Sequence, residues 1–152
     1  MTGGYWSTYW YNGAIYASEI ARGVDVFRLK ASEFLSQAEI DAAALIRVDE
    51  LNTQEQTRVV WPASSVVARA YIDQLTRTKG IQPDRARAVR TALERADQAR
   101  SSQDKGAAPI VDQLETLAKQ VEGDAASAAG RDAARLKSLA ATIKERAARM
   151  RG

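Results

Sequence analysis

From Tyr5 to Tyr11 the chain alternates faces in a run of aromatic and hydroxyl-bearing residues, the composition of a half-buried strand. Asn12-Gly13 follows, and both residues supply cheaply the positive φ that a type I′ turn needs, so the chain is predicted to reverse there. Ala14 to Ile20 reads as the returning strand, with Ile15 and Ala17 on one face and Tyr16 and Ser18 on the other. A second turn at Ala21-Arg22-Gly23 leads into Val24 to Leu29. The pattern predicts a three-strand antiparallel meander.

The period then changes from two to 3.6. Ser36-Gln37-Ala38-Glu39 has the spacing of a capping box and opens a first helix expected to run to about Glu50, with Ile40, Ala43, Ala44 and Val48 along one side. Asn52 to Pro62 reads as an extended connection, because Pro62 disfavours helix at Trp61. A second helix is expected from Ala63 or Ser64 to Lys79, with Gly80 at its C′ position. A third starts with Pro83 in its first turn and runs to about Arg100. Ser101 to Gly106 reads as a polar hinge, followed by helices over about 107–121 and 131–150, with a break across the glycines at 123 and 130. Short connections favour antiparallel neighbours. The expected architecture is α+β, mainly α: a meander (1–30), a first helix with its connector (31–62) and a helical bundle (63–152), five helices in all.

Apolar residues make up 45% of the 152, but alanine dominates that share, which predicts a C-terminal half held less tightly than the centre. The absence of cysteine and histidine removes disulfides, thiolate sites, and the commonest metal ligand and general base. No apolar run approaches the roughly 18 residues that span a bilayer, and the N-terminus lacks the order of a signal peptide, so the chain reads as soluble and without an address. Net charge is +3 and uneven: residues 1–62 hold five Lys/Arg against eight Asp/Glu, and residues 63–152 hold seventeen against eleven. The arginines of the basic half are interleaved with carboxylates, as in Asp84-Arg85-Ala86-Arg87, which favours solvated helix faces over a phosphate-binding patch.

Candidate chemistry concentrates near the N-terminus. Two of three tryptophans and four of five tyrosines fall between Tyr5 and Tyr16. Trp6, Tyr9, Trp10, Tyr11 and Tyr16 form a candidate interaction surface, either a stacking platform or packing for a covering element. Glu19 and Asp25 lie on either side of the second turn. They could act as an acid/base pair, or simply flank Arg22 at the surface. Glu19 and Arg22 therefore join the candidate surface, Phe27 joins the aromatics in packing the sheet, and Trp61 and Tyr71 are expected to anchor helix to sheet. No catalytic residue, metal ligand set or cofactor motif emerges; Gly3-Gly4 and the later glycines make no phosphate cradle.

The segment Tyr5 to Gly13, then Ile15-Tyr16 and Ser18 to Phe27, resembles the end of the bacterial LVIVD-repeat proteins, whose repeats form a β-propeller. Leu35 to Ile40, Trp61-Pro62-Ala63, Val67 to Tyr71 and Asp73-Gln74-Leu75 resemble the helical tail that follows the propeller. The resemblance weakens after about Arg100. It implies a secreted, periplasmic or cell-surface protein with no established reaction, and a chain that corresponds to the last blade and tail without the preceding repeats. The expected function is a non-catalytic structural and interaction module whose partners are propeller strands or a self-associated copy. The alternatives are a basic helical module for nucleic acid, which the charge interleaving disfavours, or for an anionic envelope surface, and an enzyme using the carboxylates near the meander.

Overall fold

The computed structural model describes residues 3–55, 58–99 and 107–151. A three-strand antiparallel sheet is followed by five helices, an α+β chain that is mainly helical. It divides into two compact units, Met1–Trp61 and Pro62–Gly152.

The first unit contains β1 (Tyr5–Tyr11), β2 (Ala14–Glu19), β3 (Gly23–Phe27) and α1 (Gln37–Ala44). The strands lie in the order β1-β2-β3. Asn12 (φ 48°) and Gly13 (φ 97°) form the tight turn, which sets Tyr11 opposite Ala14. Strict alternation does not hold at the start of β1. Tyr5 pairs with Glu19 and Ser7 with Ser18, so Trp6 is the extra residue of a bulge.

The capping box at α1 is complete: the Glu39 amide donates to the Ser36 hydroxyl at 3.2 Å, and the Ser36 amide donates to the Glu39 carboxylate at 2.7 Å. The helix nevertheless ends at Ala44, six residues before the expected Glu50. The cause is a distant competitor. Val48 donates its amide to the Asn12 side-chain oxygen at 3.0 Å and accepts from the Asn12 side-chain nitrogen at 2.9 Å, so its backbone groups are taken by the hairpin turn. Arg47 donates to the Asn12 carbonyl, and the Tyr11 hydroxyl to the Asp49 carbonyl.

The second unit contains α2 (Ser65–Arg77), α3 (Pro83–Gln98), α4 (Ala107–Ser127) and α5 (Gly130–Arg151). Packing runs α2 to α3, α3 to α4, α4 to α5 and α5 back to α2, a closed ring of neighbours, and Arg146 of α5 reaches across to α3, donating to the Ala96 carbonyl at 3.2 Å. Ser64 caps α2 by accepting from the Val67 amide, and Pro83 opens α3. One continuous core fills the ring, with Ile72, Leu75, Leu93, Leu114, Leu139 and Ile143 wholly enclosed. Its alanines, among them Ala68, Ala92, Ala96, Ala118, Ala140 and Ala147, are equally enclosed and let the helix backbones approach closely. The enclosed core of the described residues thus extends from Ala68 to Met150, through the centre of the chain and its Ala-rich end alike. Tyr71 packs on this same core.

Two further boundaries differ from the sequence reading. α4 continues through Gly123 to Ser127, and the interruption is confined to 128–129. At the end of α2 the left-handed residue is Lys79 (φ 58°), not Gly80. Lys79 and Gly80 donate back to Thr76 and Leu75, the Schellman pattern. Gly80 is needed for another reason: a Cβ there would lie 2.6 Å from the Asp132 carboxylate, which accepts from Thr78 and Arg135. The expected polar hinge over 101–106, and the end of the third helix at Arg100, lie outside the described residues.

Candidate interaction surface

Because side chains alternate along each strand, the register assigns the sheet two faces. One carries Tyr9, Tyr11, Tyr16, Val24 and Val26. The other carries Tyr5, Thr8, Trp10, Ile15, Ala17, Glu19, Asp25 and Phe27. Edge-to-face ring contacts follow this division, Tyr11 with Tyr16 on the first and Tyr5 with Phe27 on the second.

Neither face supplies a core. Among the described residues before Pro62, the buried apolar side chains are Ala17 and Ala42 alone, and every exposed large apolar side chain of the described chain lies in this unit. Trp6, on the bulge, is 77% exposed, Val24 68% and Val26 58%. Of the candidate residues, Tyr9 and Tyr16 are exposed while Trp10 and Tyr11 are half-buried. Tyr9, Tyr11, Tyr16, Leu51 and Thr53 line a shallow apolar groove of about 260 Å³. Trp10, Tyr11, Ile46, Val48, Leu51 and Val60 line a larger one of about 870 Å³, with Glu50, Glu55 and Arg58 at its wall.

Glu19 and Arg22 meet at the second turn, on the face that carries Tyr5 and Phe27 and away from Tyr9, Tyr11 and Tyr16. Glu19 is 5% exposed, and its carboxylate accepts from the Ala21 amide at 2.7 Å and the Arg22 amide at 2.6 Å. Burial alone would raise its pKa. The amides of Ala21, Arg22 and Gly4 outweigh that and hold it below the ordinary carboxylate range. Gly3 packs so closely that a Cβ there would lie 2.8 Å from the Glu19 oxygen, a role for the Gly3-Gly4 pair that the sequence reading missed. Arg22 reaches the Asp25 carboxylate at 2.9 Å and Glu19 at 3.7 Å. The Tyr5 hydroxyl donates to Asp25 at 2.8 Å, and this bond raises the phenol's pKa. One guanidinium thus stands between two carboxylates, and both acids are engaged in holding the turn.

In the helical unit the arginines are more than a solvated fringe. Arg85 pairs with Asp124 at 3.0 Å across α3 and α4, and Arg151 with Glu115 at 2.9 Å across α5 and α4. Arg90 pairs with Asp73, and Lys144 with Glu122. Asp97 on α3 accepts from Ser65 and Arg69 of α2 and lies 3.7 Å from Arg146 of α5. Partial burial pushes its pKa up, but these partners more than offset that and lower it. The interleaved charges seen in the sequence therefore link neighbouring helices and leave fewer cations for a polyanion.

Among the described residues, no group of three acidic side chains is placed to hold a metal ion, and no helix is long and apolar enough to cross a membrane. No family model, curated protein or solved structure matches this chain.

Proposed function

We propose that the chain is a non-catalytic structural and interaction module, in which the meander of the first unit docks on further β-structure and the helical unit is a self-sufficient appended body. The observation that carries this reading is the contrast between the units: the second encloses its large apolar side chains, and the first displays them on an ordered sheet. Fully burying one Val, Leu, Ile or Phe side chain is worth about 1.5–3 kcal/mol, so covering several of them drives association. The resemblance to LVIVD-repeat proteins supports the same reading and suggests that the covering structure is a β-propeller, in a secreted or surface-associated setting.

Two measurements test this. Acrylamide should quench Trp6 readily in the purified chain, and an apolar dye should bind it. Replacing Tyr9, Tyr16, Val24 and Val26 by threonine should sharply reduce dye binding without changing helical circular dichroism. Tryptophans inaccessible to quencher and an absence of dye binding would remove the open surface on which the reading stands. For the propeller itself, in-frame LVIVD-type repeats upstream of Met1 are expected; a reading frame without them contradicts it.

A further inference from the structure

The register determines which backbone groups of the sheet are free. The two-residue turn makes Tyr11 and Ala14 a hydrogen-bonded pair, and the Ile20 amide donates to the Gly4 carbonyl at 3.0 Å, so the even-numbered residues of β2 face β1. Ile15, Ala17 and Glu19 then face β3, where they pair with Phe27, Asp25 and Gly23. The amides and carbonyls of Val24 and Val26 consequently point away from the sheet, and no backbone partner for them exists among the described residues. The side chains of these same residues are the widely exposed valines of the open face.

The two edges are not equivalent. β1 is bulged at Trp6, which twists an edge and interrupts pairing. β3 has no bulge, proline or lysine between Gly23 and Phe27. Its one charge, Asp25, lies between the two valines on the opposite face, in a cluster where a single Arg22 serves both Asp25 and Glu19. That cluster carries one excess negative charge, and Asp25 is its member on the edge strand.

We infer that β3 is a strand-acceptor edge, and that its occupant is an antiparallel β-strand from a partner bearing β-branched apolar residues opposite Val24 and Val26 and a lysine or arginine opposite Asp25. This inference rests on the docking role proposed above and specifies its chemistry. The backbone groups of Val24 and Val26 demand an extended strand, because only a strand presents amides and carbonyls at matching intervals. The carboxylate selects the intervening residue, since unlike charges directly opposite attract and like charges repel. The same rule disfavours a second copy of this chain: antiparallel self-pairing that aligns Val24 with Val26 sets Asp25 against Asp25.

The test uses the full chain, labelled for amide NMR, with two capped heptapeptide probes, each with valines at its third and fifth positions, and lysine in one, glutamate in the other, at its fourth. The lysine peptide is expected to shift the Val24 and Val26 amides, slow their exchange, and bind about fivefold more tightly than its twin. Val26→Pro removes an outward amide from an edge that tolerates proline and should abolish these effects, whereas Val26→Thr should retain them. If Val26→Pro disturbs the meander, N-methylation of the two peptide valines provides the same block with the protein unaltered. Shifts at Thr8 and Trp10 instead of Val24 and Val26, equal affinity for both peptides, or binding that survives N-methylation would overturn the inference. So would absence of binding, even where quenching and dye binding uphold the open face. Concentration-dependent protection of Val24 and Val26 without peptide would assign the edge to a second copy and likewise overturn it.

Discussion

At the scale of single residues, the informative positions are those where a distant group decides a local conformation. Gly80 is followed in space by Asp132, whose carboxylate leaves no room for a Cβ. Gly80→Ala is expected to lower the stability of the helical unit by about 1–3 kcal/mol, with partial recovery in Gly80→Ala/Asp132→Ala, measured by urea unfolding. The neighbouring left-handed residue is a lysine, which bears a steric penalty that glycine does not. Lys79→Gly should therefore stabilise the same unit by about 0.5–1 kcal/mol, detected as a raised urea midpoint. The sequence points to a helix end near Gly80, since glycine commonly follows a helix. It does not reveal how little room Gly80 has, because that depends on Asp132, distant along the chain but adjacent in space.

At the scale of elements, helix starts were legible, and so was the end of α2, but not an end set by another element. Ser36, Ser64 and Pro83 open α1, α2 and α3 through chemistry contained within four residues, so the sequence alone suffices. The end of α1 depends on Asn12 binding the Val48 backbone from another element, and the bulge at Trp6 on how β1 meets β2. Two carboxylates tie elements together and make stability depend on pH. Glu19 holds the β2–β3 turn and Asp97 links α3 to α2 and α5, and both have pKa values lowered in the fold. A lowered folded pKa means the contribution is present above the unfolded carboxylate range and is lost as pH falls through the folded value. Urea midpoints should thus fall between neutral pH and about pH 3. Glu19→Gln should flatten that dependence when tryptophan fluorescence is followed, and Asp97→Asn when helical circular dichroism is followed. Unchanged pH profiles in both variants would contradict these roles.

At the scale of the whole molecule, the chain joins a unit with a core to a unit with a surface. The change of hydrophobic period near Ser36 revealed the succession of meander and helices, and the aromatic run pointed to a surface of interest. Whether those aromatics would be packed or displayed was not legible, because alternation records which side chains share a face and not what covers it. The large buried apolar side chains of the described residues, from Val67 to Met150, all follow Pro62. All three tryptophans precede it, at positions 6, 10 and 61. Fluorescence consequently reports on the displayed unit, and ellipticity at the helical band mainly on the enclosed one. The central claim, that the first unit is incomplete on its own and the second is not, is tested most directly by one urea titration followed with both probes. Two separate transitions are expected, with the tryptophan signal lost at the lower urea concentration. Coincident transitions would contradict it.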